Sequence, residues 1–175
     1  MKSFLSVFIL TFMIFPLFAA GQRDTGAPFR DCCIEEVFRI HQREVVHIGV
    51  IADNAPFSYQ DELNVWQGYD VYFARRLAVE ILGRDERFLR LIPVTQENWS
   101  GLLDSDELDF VLGFVSGSEW NGLADFSIPF RRTEDGTYAV AVRKGYDGLI
   151  MWLNDVISRR LDANFFHQIP GGIIK

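Results

Sequence analysis

Acidic side chains crowd one short stretch of the chain, at Asp104, Asp106, Glu107 and Asp109. Carboxylates so spaced can hold calcium. An EF-hand loop also needs a glycine at its sharp turn and a closing glutamate, and this stretch has neither. It reads as a solvated helix end. Three histidines, His41, His47 and His167, show no metal-ligand spacing. Cys32 and Cys33 are adjacent. Neighbouring cysteines can bond to each other only through a strained ring. They therefore read either as buried or free thiols at a helix start or as a disulfide to another chain. A nucleophile elbow needs Gly-x-Ser-x-Gly. Ser116 comes nearest, but Phe114 and Ser118 stand where the glycines should be. No glycine-rich phosphate loop occurs. Since no nucleophile, base and metal set converges, the sequence predicts a protein that is not an enzyme and uses no metal or cofactor.

Composition narrows the partners. The 17 basic and 24 acidic residues leave a formal charge of −7. Lys and Arg form no cluster, so no nucleic-acid partner is expected. Hydrophobic residues make up 49% of the chain, enough for a packed core. The amino terminus reads as a targeting segment. Lys2 precedes a run from Phe4 to Phe18 that is apolar apart from Ser6 and Thr11, and Ala19-Ala20-Gly21 supplies small residues for cleavage before Gln22. This predicts a signal peptide over 1–21 and a periplasmic or otherwise exported protein. Left uncleaved, the run would be a membrane tether, although a full span needs roughly 20 apolar residues.

The elements follow from periodicity. Residues 22–43 read as a linker and then a helix, with Asp31 as its cap and Ile34, Val37, Phe38 and His41 at helical spacing. Val45 to Ile51 is apolar except for His47 and rich in β-branched residues, the pattern of a strand covered on both faces. Phe57-Ser58-Tyr59 and Val65-Trp66-Gln67 suggest a small hairpin. Asp70 is expected to cap a helix over 71–82 that Gly83 stops. Further strands are expected at 88–94, 110–115 and 138–142, and helices at 99–103 and 147–161. The segment 125–130 reads as extended, with turn chemistry at 133–136. Alternating strands and helices predict an α/β fold with a mostly parallel central sheet and helices on both faces.

Five short motifs occur in order: Ala55-Pro56-Phe57-Ser58-Tyr59, Gly68-Tyr69-Asp70-Val71, Trp99-Ser100-Gly101-Leu102, Leu108-Asp109-Phe110-Val111 and Asp125-Phe126-Ser127-Ile128-Pro129-Phe130. Each is weak alone, but their order and distances resemble those of the polar amino-acid-binding periplasmic proteins, solute-binding family 3, which serve ABC transporters. The resemblance implies one lobe of a periplasmic-binding-protein type II fold over 44–162, with a tail at 163–175. In that family the chain crosses a hinge after the last motif, builds a second lobe and returns. Here Tyr138 to Gly145 resembles the returning strand, so the turn at 133–136 stands in place of the second lobe.

The resemblance also implies a ligand cleft lined by Asn54, Phe57, Trp99, Phe114, Val115, Ser116 and Trp120. Family members hold the ligand's α-carboxylate with an arginine, and ungapped alignment from Gly113 to Ser127 puts Trp120 there. Val115 and Gly117 replace small hydroxyl residues, Ile51 falls where an acid often lies, and Asn54 falls where an aromatic is common. The four aromatic positions either cover the core or form a docking patch. The expectation is therefore a non-enzymatic binding module for a small polar solute. A rebuilt site would need a homodimer or exchange of the Tyr138–Leu161 segment between chains. The alternative is a protein-interaction or sensor module of the cell envelope that has lost amino-acid binding.

Overall fold

The computed structural model describes residues 35–83, 86–113, 122–134 and 136–160. The predicted signal segment at 1–21, the expected cap at Asp31, Cys32-Cys33 and the tail at 163–175 lie outside the described residues. Helix α1 (Glu35–Arg43) leads into β1 (Val46–Ile51), β2 (Tyr59–Gln60), β3 (Trp66–Gln67) and α2 (Tyr69–Leu82). Then come β4 (Leu89–Val94), α3 (Trp99–Asp104), β5 (Phe110–Val111), β6 (Asp125–Phe126), β7 (Arg131–Thr133), β8 (Gly136–Tyr138), β9 (Ala141–Val142) and α4 (Asp147–Arg160).

Five strands form the central sheet in the order β4-β1-β5-β9-β6. β4 and β5 run parallel to β1, and β9 runs antiparallel to both β5 and β6. Strand alternation sorts the core into two layers. Val46, Ile48, Val50, Phe110 and Val142 face α1, α2 and α4, with Phe73, Leu77, Leu149, Trp152 and Leu153 packed against them. Val111 and Ala141 face the other way, toward Trp99 and Leu103 of α3. On that side Gly49 lets the neighbouring elements close in, since a Cβ there would lie 2.9 Å from both Leu108 and Val94. Among the described residues no helix is long and apolar enough to cross a membrane.

Several expectations shift in register. In α1 the buried residue is Ile40, and Phe38 is exposed. Of the predicted strand at 110–115, Phe110 and Val111 pair with β1, Gly113 turns the chain at a positive φ of 96°, and 114–115 lie outside the described residues. The predicted strand at 138–142 is divided. Tyr138 belongs to the β7–β8 hairpin, whereas Ala141 and Val142 join the central sheet. Ser127 holds the intervening chain: its N–H donates to the Val140 carbonyl at 3.0 Å, and the Val140 N–H donates to its Oγ at 3.0 Å.

The start of α2 differs most. Asp70 does not cap it; Gly68 precedes the helix, and no side chain caps the end. The Tyr69 and Asp70 N–H groups donate to the carbonyls of Pro56 and Phe57 at 3.2 and 2.8 Å. Helix donors that a capping side chain would otherwise satisfy are thus met by the preceding loop. The close approach requires Gly68, whose φ is 112° and whose added Cβ would lie 2.3 Å from the Phe57 carbonyl oxygen. Gly83 ends the helix as expected, at φ 60°, with its N–H on the Val79 carbonyl at 2.9 Å.

These two glycines give a contrast for urea denaturation. Around Gly83 an added Cβ meets nothing within 4 Å, so Gly83→Ala meets only backbone strain and should cost about 1 kcal/mol. Gly68→Ala adds a backbone collision and should cost about 3 kcal/mol or more. Equal midpoints for the two variants would contradict this account of the α2 start.

Candidate functional site

Ligands of open α/β sheets sit beyond the carboxyl ends of the parallel strands. At that end of β1 the chain folds into a tight loop. The Asn54 N–H donates to the Ser58 carbonyl at 2.7 Å, and the Phe57 and Ser58 N–H groups return to the Asn54 carbonyl at 2.7 and 2.9 Å. Buried Ser58 ties the loop to the strand, its Oγ donating to the Ile51 carbonyl at 2.5 Å. The loop rests on the start of α2, and so Phe57 stands beside Tyr69, with ring centroids 6.1 Å apart.

A buried ion pair completes the site. Asp70, in the first turn of α2, meets Arg131 from β7, and both side chains are almost wholly buried. Arg131 Nη2 lies 3.4 Å from each carboxylate oxygen. The guanidinium carbon lies 3.6 Å from the Phe57 ring centroid and 3.7 Å from that of Tyr138. Phe130 stands farther off, at 5.9 Å. Both near rings are within the range of cation–π attraction. The β7–β8 register sets Arg131 opposite Tyr138. Gly113, at the end of β5, borders Asp70 Oδ2.

The pair is incompletely satisfied. Arg131 Nε and Nη1 and Asp70 Oδ1 make no hydrogen bond among the described residues. Burial outweighs the attraction of Arg131 and pushes the Asp70 carboxyl up to about 6. Desolvation likewise lowers Arg131, against the pull of Asp70.

The structure brings Asn54 and Phe57 together on one loop. Trp99, the first residue of α3, is wholly buried in the core layer between that helix and the sheet. Phe114, Val115, Ser116 and Trp120 lie outside the described residues. Sequence reasoning missed Arg131 and Tyr138 and read Asp70 as a cap. A signal was present: Asp70 shares a helical face with Phe73, Ala74, Leu77 and Ile81, and a carboxylate on an apolar stripe needs a buried partner. The acidic stretch is tied into the scaffold. Asp106 pairs with Arg143 at 2.7 Å and accepts from the Tyr146 hydroxyl at 2.7 Å. Asp109 pairs with Arg43 and accepts the His47 N–H at 2.8 Å.

The raised Asp70 value sets a pH dependence. The folded chain holds this proton more tightly than an unfolded chain, where the carboxyl has its ordinary value of 3.8. Its contribution to stability is full below that value and is lost as pH rises through about 6. Urea midpoints should show wild type losing stability relative to Asp70→Asn between about pH 4 and about pH 6.5, and a constant difference above that. A difference that grew in favour of wild type with rising pH would mean that the ion pair outweighs burial.

The chain is similar to known proteins over most of its described length. Residues 46–169 match the model of the bacterial extracellular solute-binding proteins, family 3. The L-cystine-binding protein TcyJ of Escherichia coli is 30% identical over 124 residues, which cover 70% of this chain and 44% of that protein. The chain thus spans under half the length of these relatives. Among solved structures, the arginine-bound form of domain 1 from TmArgBP is 26% identical with a TM-score of 0.60, covering 69% of this chain and 96% of that one. The cysteine-binding protein from Campylobacter jejuni is 35% identical with a TM-score of 0.50, covering 53% of this chain and 38% of that one. A single-domain chain is matched almost completely and the longer chain only in part, and this protein belongs to the bacterial extracellular solute-binding proteins of family 3.

Proposed function

We propose that this chain is an exported, non-enzymatic binding module for a small polar solute of the amino-acid class, working with an ABC transporter. The observation that carries this reading is the Asn54–Ser58 loop, seated at the carboxyl end of β1 and braced on the start of α2, within a stretch that matches the family. The named relatives support the ligand class, since they bind cystine, cysteine and arginine. The targeting segment at 1–21 supports export. The β7–β8 hairpin joins the outgoing and returning chain directly, and we read it as standing in place of a second lobe. A small ligand on one lobe keeps much of its surface in water. On this reading a second copy, or exchange of the Tyr138–Leu161 segment, supplies the missing cover.

One observation favours the second reading, an envelope interaction or sensor module that has lost amino-acid binding. Arg131 fills the space beside Phe57 with a side chain of the protein itself.

Titration calorimetry with L-cystine, L-cysteine and L-arginine tests the two readings. Solute capture predicts a Kd on the order of 10 μM for at least one of them, weakened about tenfold by Asn54→Ala. No heat with any of the three would favour the interaction reading. Sedimentation equilibrium tests the cover: a strict monomer with and without solute would count against the dimer.

A further inference from the structure

We propose that Phe57, Tyr138 and Asp70 form a guanidinium site, and that the resting chain occupies it in cis with its own Arg131. This deepens the solute-binding reading and rests on it for the site's role in capture. The ligand class follows from the walls. Two aromatic faces flank a planar cation at 3.6 and 3.7 Å, and a carboxylate stands at its edge. A planar, delocalised cation stacks on such faces and hydrogen-bonds a carboxylate along its edge, whereas a compact ammonium is more strongly hydrated and lacks the fork.

The contact geometry shows that Arg131 is an imperfect occupant. Charge-assisted N–H···O bonds close to about 2.8 Å when both partners are free to adjust. Here Nη2 stops at 3.4 Å from both oxygens, and Nε and Nη1 bond nothing among the described residues. The cause is the tether. The Arg131 backbone is fixed by its register with Tyr138 in the hairpin, and Phe130 N–H is held on the Tyr138 carbonyl at 3.0 Å. An untethered alkylguanidinium can slide toward Asp70 and present two N–H groups to it. In wild type such a compound must first displace Arg131, which lowers its apparent affinity by the fraction of sites that Arg131 holds. A free guanidino solute and an arginine side chain of another protein share this chemistry.

Arg131→Ala removes the occupant and keeps the walls. Ethylguanidinium, which replaces the deleted group, should bind this variant at least about 100-fold more tightly than wild type. At tenfold excess over Kd it should raise the variant's melting temperature by about 4 °C. The neutral isostere ethylurea should do neither, and Asp70→Asn added to Arg131→Ala should abolish the response. If Arg131→Ala does not fold alone, its refolding yield is the readout, and ethylguanidinium but not ethylurea should restore it. Equal effects of the two compounds, or equal binding to wild type and variant, would overturn the proposal. L-Arginine and an arginine-containing tripeptide then separate the sources: a site for free solute takes the amino acid at least as well as the peptide, and one for a protein side chain takes the peptide alone.

The cage and the solute-binding reading fail separately. If wild type binds no amino acid while the variant binds ethylguanidinium, capture fails and the cage stands. If wild type binds an amino acid and the variant gains nothing for ethylguanidinium, the cage fails and capture stands.

Discussion

The contact between Asp70 and Arg131 joins the start of α2 to the β7–β8 hairpin. Asp70 belongs to the helix that follows the first strand, and Arg131 belongs to the hairpin where the chain turns back. Taking either charge out of water alone would cost several kcal/mol. Each therefore constrains the other. The helix start must lie where Arg131 can reach it, and the hairpin must fold over the end of the sheet rather than away from it. The aromatic walls add to the constraint, because Phe57 comes from the β1 loop and Tyr138 from the returning strand. Two regions distant in sequence, the β1 loop with the α2 start and the β7–β8 hairpin, meet at one guanidinium.

The rest of the scaffold serves that meeting. Gly68 lets the Pro56–Phe57 carbonyls approach the first amides of α2, which sets Phe57 and Asp70 side by side. Ser127 locks the outgoing chain to Val140, and Asn154 of α4 accepts the Ile128 N–H at 2.7 Å. The hairpin is thus tied to the core on both of its flanks. Its own two-stranded sheet stays separate from the central one. A chain that reverses at this point needs such ties, since two short paired strands alone are marginally stable in water.

Much of the architecture is legible in the sequence. The β-branched run at 45–51 named the central strand, and the apolar stripe from Val71 to Ile81 named the covering helix, because burial on two faces and on one face leave different periodicities. The turn chemistry at 133–136 located the hairpin. The site was less legible. Asp70 has the residue type and position of a helix cap, and only the loop carbonyls that already satisfy the helix amides exclude that role. Trp99 has an interface residue's chemistry, but its buried place follows from the packing of α3 against Val94, Val111 and Ala141.

The sequence by itself determined the fold class, the main strands and helices and the family, because these depend on local periodicity and on motifs that each lie within a few residues. It also contained the anomaly of a carboxylate on an apolar helical face. Only the tertiary structure decided what that carboxylate meets. Arg131 lies 61 residues away along the chain, on an element whose single inward position depends on strand register. A register is a relation between two segments, and a one-residue slip would turn Arg131 to the opposite face. The occupied cation site between the β1 loop and the hairpin thus belongs to the fold as a whole and to no stretch of residues within it.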